Sequence, residues 1–524
     1  MLSVNLMNWL LALSPIIVVL VLMVGFRWGG SRAGPVGWLV ALVVGVVFFG
    51  ATPELLFYSQ IKGILLSLYV LYIVWMALVL YNVVNEAGAI AVIGKGIARL
   101  TADRTMQLLI LGWAFSSFLQ GVAGFGVPIA VVAPLLAGMG FEPVVAVAAV
   151  AIGHSWSVTF GDMAASFHAL IGASGIEGAL LAPWSGIFLG MACFGCGLAA
   201  AHAYDGFKAL RRALPAVLLL GAAMSVAQYL LAVSGLWNLA GFLSGLVGLG
   251  LGAAVTRLPF YRRSVGDPQS TAVAVDEERQ GPSLYLAVSA YLILVVIVAG
   301  AELVPQLYTL LNSVVIELSF PRLKTATGWV TEAGTGRTIS IFGHAGALLG
   351  YTSLIAYFIY RRAGHYQPQA LERIWRKTLS SAVPSSIGIA SMVGMAMIMD
   401  HSGMTYLLAK GISESVGAAF PLFSPLVGTL GAFITGSNTN SNVIFAPVQQ
   451  RTAELLGISA IVILGAQTTG GALGSMLAPA KVIVGCSTAG LAGQEGQVMK
   501  KTLPYGLLIA GFIGLLAWLV IYAA

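Results

Sequence analysis

The chain has 524 residues, of which 58% are AVILMFWYC and only 9% are Asp, Glu, Lys or Arg. That balance excludes a water-soluble globular protein of this size and leaves a polytopic membrane protein with an all-α bundle, because helices pair every backbone polar group inside hydrocarbon. The net charge of +7 gathers in short clusters between apolar runs, the placement expected of cytoplasmic loops and not of a nucleic-acid surface.

The first apolar run is followed by Arg27 and has no small-residue cleavage site, so it reads as a retained helix. With the N-terminus outside, helices at residues 9–26, 35–52 and 62–85 bring Lys95, Arg99 and Arg104 to the cytoplasm. Residues 105–140 then form two apolar arms around a Gly-rich break from Gln120 to Gly126, each arm too short to span about 30 Å of hydrocarbon. A re-entrant hairpin entering and leaving on the cytoplasmic side fits that pattern. A broken helix over 143–171 crosses outward and 183–202 returns, placing Lys208, Arg211 and Arg212 inside. Helices at 214–234 and 236–256 make an out-and-back pair, and the polar segment 257–282, with Asp267-Pro-Gln-Ser and Asp276-Glu-Glu-Arg, reads as a cytoplasmic linker.

Crossings at 283–303 and 338–360 bracket an external loop, and 378–399 crosses outward to leave Lys410 outside. Residues 421–456 form a second hairpin, interrupted at 435–442 and returning outside. Residues 458–491 cross inward with a break of their own, and Lys500 and Lys501 precede the last helix at 503–522. The count is about 12 crossings plus two hairpins of opposite entry.

Lys95-Gly-Ile97 recurs as Lys410-Gly-Ile412, and the same offset of 315 positions (410 − 95) carries Gly88 onto Gly403, Phe118 onto Phe433 and Gly121 onto Gly436. An offset of 317 (470 − 153) aligns the broken helices, Gly153 on Gly470. Each half also shows the same order of long helix, short Gly-rich helix and two interrupted segments. Residues 1–212 and 283–524 therefore read as two inverted-topology repeats, separated by the helix pair 213–256 and the linker 257–282. Interrupted helices in matching places point to a secondary transporter whose site lies at the breaks.

Polar groups at those breaks are the candidate chemistry. In Thr435-Gly-Ser-Asn-Thr-Asn-Ser-Asn442, Ser437, Asn438, Thr439, Asn440 and Asn442 are costly at membrane depth unless something binds them. The helix start that follows suits a carboxylate, and the tip oxygens would suit Na+. The first tip is apolar; its Gly124, Phe125, Gly126 and Val127 could bring backbone N–H groups to the other end of a small anion. His154, Trp156 and Asp162 lie in the first broken helix, with His154 or Asp162 as the proton carrier. Lys481, at the second break, either pairs with Asp162 or neutralises the substrate carboxylate. Cys193-Phe-Gly-Cys196 lacks a second ligand pair and reads as packing; no metal, cofactor or catalytic residue is expected.

Gly121-Val-Ala-Gly-Phe-Gly-Val-Pro-Ile-Ala130, Thr435-Gly-Ser-Asn-Thr-Asn-Ser-Asn-Val-Ile-Phe-Ala446, Thr468-Thr-Gly-Gly-Ala-Leu-Gly474 and Ala-Gly-Leu-Ala-Gly at 489–493 resemble the L-lactate permease family. The resemblance spans most of the chain and implies uptake of lactate, often also glycolate, with protons across the plasma membrane of a bacterium. It also implies kinship with transporters that use paired hairpins and an elevator motion. Ser437-Asn-Thr439 resembles the signature of sodium-coupled dicarboxylate carriers in that wider group, so Na+ is the alternative coupling ion. His154, Asp162 and Lys481 stand where small, amide or uncharged polar residues are expected of typical lactate permeases, which widens the substrate to a small organic anion. The expected partners are that anion, protons and membrane lipids; a homodimer is left open.

Overall fold

The protein is described by a computed structural model covering residues 5–26, 28–124, 126–262, 282–491 and 494–523. Arg27, Phe125, Arg263, both acidic stretches of the 257–282 linker, and Ala492 and Gly493 lie outside the described residues. The first half runs α1 (Leu6–Val24), α2 (Gly30–Val47), α3 (Pro53–Glu86), α4 (Ala89–Ala98), α5 (Arg104–Leu108), a π-helical stretch at Leu109–Phe115, α6 (Ser116–Val122), α7 (Val127–Gly138), α8 (Pro143–Ser155), α9 (Gly161–Ser174), α10 (Gly178–Val233), α11 (Trp237–Val255) and α12 (Pro259–Arg262). The second runs α13 (Leu284–Leu303), α14 (Pro305–Leu311), six two-residue strands, α15 (Ala345–Arg362), α16 (Ala370–His401), α17 (Met404–Val416), α18 (Phe420–Thr435), α19 (Asn438–Leu456), α20 (Ala460–Gly474), α21 (Pro479–Thr488) and α22 (Glu495–Tyr522).

Among the described residues, 11 helices are long and apolar enough to cross a membrane. Local chemistry sets their ends. The α3 start has Thr52 accepting from the Leu55 amide at 3.2 Å and Pro53 in the first turn, where its missing N–H costs nothing. Gly88 and Gly403, matched by the 315-residue offset, both enter the short helix that follows in a left-handed conformation, φ 76° and 85°.

One expectation needs correction here. The all-α reading misses a ribbon in the loop between α14 and α15. There β1 (Val315–Ile316), β2 (Ser319–Phe320) and β3 (Leu323–Lys324) pair antiparallel with β6 (Ile339–Ser340), β5 (Gly334–Thr335) and β4 (Val330–Thr331) respectively. The two helices expected at 183–202 and 214–234 are the two arms of α10, which leaves the helical conformation at Asp205–Gly206 (φ −141° and 54°) and is helical again through Lys208–Arg212. The 11 apolar helices among the described residues count the kinked 56-residue α10 once.

The same series of elements occurs twice. Helices starting at Pro53, Ala89, Arg104, Val127, Pro143, Gly161 and Gly178 are followed, in order, by helices starting at Ala370, Met404, Phe420, Asn438, Ala460, Pro479 and Glu495. Packing is reciprocal: α9 lies on α19, and α21 lies on α7. Outside these, α1, α2, α3, α13, α15 and α16 form a layer through the α2–α16, α3–α16, α3–α15 and α13–α15 contacts.

Gly153 and Gly470 mark the tightest crossings. A Cβ on Gly153 would meet the Gly112 carbonyl oxygen at 1.9 Å, and one on Gly470 the Pro425 carbonyl oxygen at 1.8 Å. In each half the broken helix therefore touches the preceding arm backbone to backbone.

Candidate functional site

The polar tip is built by a reversal of only two residues. After α18, Gly436 takes a left-handed conformation (φ 72°) and Ser437 returns to extended backbone, its Oγ accepting from the Asn440 amide at 3.3 Å to cap α19. The first-turn amides of Asn438 and Thr439 then point out of the helix start, as first-turn amides do. Asn438 and Asn442 lie four apart on one face. Asn438 Nδ2 donates to Thr159 Oγ1 at 3.1 Å, and Asn442 Nδ2 donates to Thr468 Oγ1 at 2.9 Å and to the Ser166 carbonyl at 3.0 Å. Thr159 and Thr468 meet hydroxyl to hydroxyl at 3.2 Å, while Ser166 Oγ meets Thr439 Oγ1 at 3.1 Å.

The tip of the second half is thus pinned at once to the break of the first broken helix and to α20. Behind it Gln467 donates to Ser441 Oγ at 3.2 Å and is bonded by Gln449. Those bonds satisfy the amide nitrogens and leave the oxygens. The Oδ1 atoms of Asn438, Asn440 and Asn442 are buried without a hydrogen-bond partner, the arrangement expected where a donor or a cation is to be received.

The apolar tip faces Asp162. Gly126 (φ 83°) leads into α7, whose first residue, Val127, is buried, and Gly124 lies so close to Asp162 that a Cβ there would stand 3.4 Å from Asp162 Oδ2. Asp162, Met163 and Ala164 all have left-handed backbone (φ 52°, 51° and 59°). Each such residue costs about 1–2 kcal/mol, so the turn persists only because the surrounding packing holds it. It aims the Asp162 carboxylate at the Gly124 amide and leaves Oδ1 buried and unpartnered.

The direct Asp162–Lys481 ion pair expected from the sequence is not formed: no ion pair among the described residues joins them. The left-handed turn directs Asp162 to the Gly124 loop instead. The two charges still interact, and both residues are 8% exposed. His154 is fully buried; its Nδ1 bonds the Val150 carbonyl at 2.6 Å and its Nε2 has no partner. Trp156 turns to the α6 arm, where its Nε1 donates to Ser117 Oγ at 3.0 Å.

The structure therefore brings Ser437, Asn438, Thr439 and Asn442 together with Thr159, Ser166 and Thr468, and brings Gly124 together with Asp162. Thr159 and Thr468 sit in runs singled out from the sequence, but their pairing across the halves depends on the fold. Ser166 carried no signal, since a lone serine in an apolar helix is common. Cys193 and Cys196 are buried free thiols, with Cys196 Sγ 3.3 Å from Ser155 Oγ, as packing residues would be.

The family described as L-lactate permease matches residues 8–524. The chain is 27% identical to the glycolate permease GlcA of Escherichia coli (strain K12), covering 98% of this chain and 95% of that protein. It is also 27% identical to the L-lactate permease of Bacillus subtilis (strain 168), over 98% and 96%. Among solved structures the fold is similar to that of the YdaH transporter of Alcanivorax borkumensis, with a TM-score of 0.50 at 17% identity, covering 94% of this chain and 98% of that one.

Proposed function

The chain belongs to the L-lactate permease family, and from that membership we propose that it takes up a small 2-hydroxy monocarboxylate, such as lactate or glycolate, together with a proton. It is a multi-pass membrane permease and not an enzyme. The observation that carries the substrate reading is the buried tip at Ser437–Asn442, bonded to Thr159 and Thr468 yet keeping three unpartnered amide oxygens.

In this reading the carboxylate lies at the α19 start against the amides of Asn438 and Thr439, where the helix dipole favours an anion. The 2-hydroxyl donates to an unpartnered Asn oxygen, Lys481 supplies positive charge, and the Gly124–Val127 tip closes the apolar side. The proton travels on Asp162, with His154 as the alternative carrier. The two series of elements are inverted repeats with re-entrant hairpins, Lys95 lying inside and Lys410 outside. The hairpins and broken helices move together as an elevator against the α1–α3, α13, α15 and α16 layer. The reciprocal α9–α19 and α7–α21 packing supports that grouping.

A sodium-coupled variant has its own support, because the Asn oxygens and Asp162 Oδ1 are the hard ligands a small cation prefers.

Counterflow of labelled lactate in proteoliposomes tests the substrate. Glycolate is expected to compete fully, and acetate at least about tenfold less well, because it lacks the hydroxyl that the Asn oxygens would receive. Counterflow that no 2-hydroxy acid inhibits would rule the reading out. Thr468→Val, which keeps the side-chain shape but removes the acceptor for Asn442 and the contact to Thr159, should raise KM roughly tenfold, two bonds of about 1 kcal/mol each being weakened. An unchanged KM would remove this network from the site.

A further inference from the structure

We propose a second anion site, made by Arg337 and His344 at the start of α15, that takes a small monocarboxylate on its way to the hairpin tips. It rests on the function proposed above for the monocarboxylate, for the hairpin tips as its destination and for the external placement of the loop before α15.

His344 caps α15: its Nδ1 accepts from the Gly346 amide at 3.1 Å. The proton of the neutral ring is therefore on Nε2, and that N–H, on a residue 4% exposed, has no acceptor. Arg337 lies between β5 and β6. Its Nε is likewise buried without a partner, and no acidic group among the described residues pairs with it. Two orphaned donors, one of them cationic, stand beside the N-terminus of an 18-residue helix, where the backbone adds positive partial charge.

Tyr69 brings the two together. The Arg337 guanidinium lies 4.2 Å over its ring, and the His344 ring stands edge-on at 4.3 Å. Tyr72 stacks on the other side of His344, 5.0 Å away and nearly parallel. Tyr69 is itself held, since its hydroxyl donates to His168 Nδ1 at 3.1 Å while His168 Nε2 donates to Asn238 Oδ1 at 2.8 Å. One guanidinium with one neutral donor balances a single negative charge, and its fork matches the two oxygens of a carboxylate. The tyrosine rings suit a short apolar tail. His168 follows Asp162 by six residues, past the left-handed turn at 162–164.

The test is equilibrium binding of labelled acetate and labelled lactate to the purified full chain in lipid nanodiscs, with uptake kinetics from the outer side in proteoliposomes. Two lactates per chain are expected for the native protein and one for Arg337→Gln, whose uptake KM should rise roughly tenfold with Vmax nearly unchanged. Arg337→Lys should restore weak binding at the second site. His344→Asn keeps a capping oxygen but deletes the Nε2 donor, and should weaken the same site; it carries the test if Arg337→Gln does not fold. A single site in the native chain, or two sites and an unchanged KM in both variants, would overturn the proposal. Acetate binding that depends on Arg337 in a protein that transports no 2-hydroxy acid would leave this site standing and remove the proposed function.

Discussion

Asp162→Asn should lower concentrative uptake roughly a hundredfold, the lower range for loss of a positioned proton-transfer group, while leaving counterflow within a few-fold. The exchange separates the carboxylate from everything else the residue does. Asn has the same shape, and it tolerates the left-handed backbone at φ 52° as well as Asp does, so the turn at 162–164 survives. The contact with the Gly124 amide survives too, because an amide oxygen can accept that bond. Lost are the titratable oxygen, now buried without a partner, and the negative charge that interacts with Lys481. Counterflow needs substrate binding and the movement of the carrier but no net proton movement. Normal accumulation by Asp162→Asn would pass the proton to His154, and His154→Gln would then show the loss. An equal fall in accumulation and counterflow would make Asp162 a structural or substrate-binding group instead.

Gly470→Ala and Gly153→Ala should each destabilise the chain by about 3 kcal/mol or more, above the usual range for overpacking. The added methyl would fall 1.8 Å from the Pro425 carbonyl oxygen in one case and 1.9 Å from the Gly112 carbonyl oxygen in the other. Neither obstacle is a side chain that can rotate away. Relief would need α20 to part from α18, or α8 to part from the π-helical stretch, and both movements displace the breaks that form the site. Folded, monodisperse yield after detergent extraction should collapse for both variants. Gly250→Ala and Gly511→Ala lie in α11 and α22, where a Cβ meets nothing within 4 Å, and should be neutral or slightly stabilising through helix propensity. Equal yields from all four would show that the crossings are looser than the backbone contacts imply.

Much of the scaffold was legible because membrane segments announce themselves through length, apolarity and their interruptions. Glycines and hydroxyls inside apolar runs marked 120–126 and 435–442, and the actual reversals, after Val122 and at Gly436–Ser437, are shorter and fall within them; the 317-residue offset between Gly153 and Gly470 already marked what became the two closest crossings. The errors have physical reasons. Lys208, Arg211 and Arg212 look like a loop by charge, yet only Asp205–Gly206 leave the helical conformation, because helices extend past the hydrocarbon and tolerate such residues. The β ribbon before α15 consists of two-residue strands, too short for a period-two pattern to stand out.

At the site, residue types were readable but directions were not. Asp162 and Lys481 stand out in the sequence as charged groups inside interrupted apolar segments, but three left-handed residues that no propensity anticipates turn Asp162 toward Gly124. Thr159, Thr468 and Ser166 became part of the tip only when helices distant in sequence were packed together. His344 and Arg337 had no motif around them; their unsatisfied donors are visible only when every buried N–H is assigned an acceptor.

The central claim, proton-coupled uptake of a 2-hydroxy monocarboxylate through the tips of the two halves, is tested most directly in proteoliposomes free of Na+ with an imposed pH gradient, acid outside. Labelled lactate or glycolate should accumulate inside above its external concentration, stop when a protonophore collapses the gradient, and be unaffected by added Na+ at fixed pH. Accumulation that requires a Na+ gradient and ignores pH, or no accumulation of either acid, would contradict it.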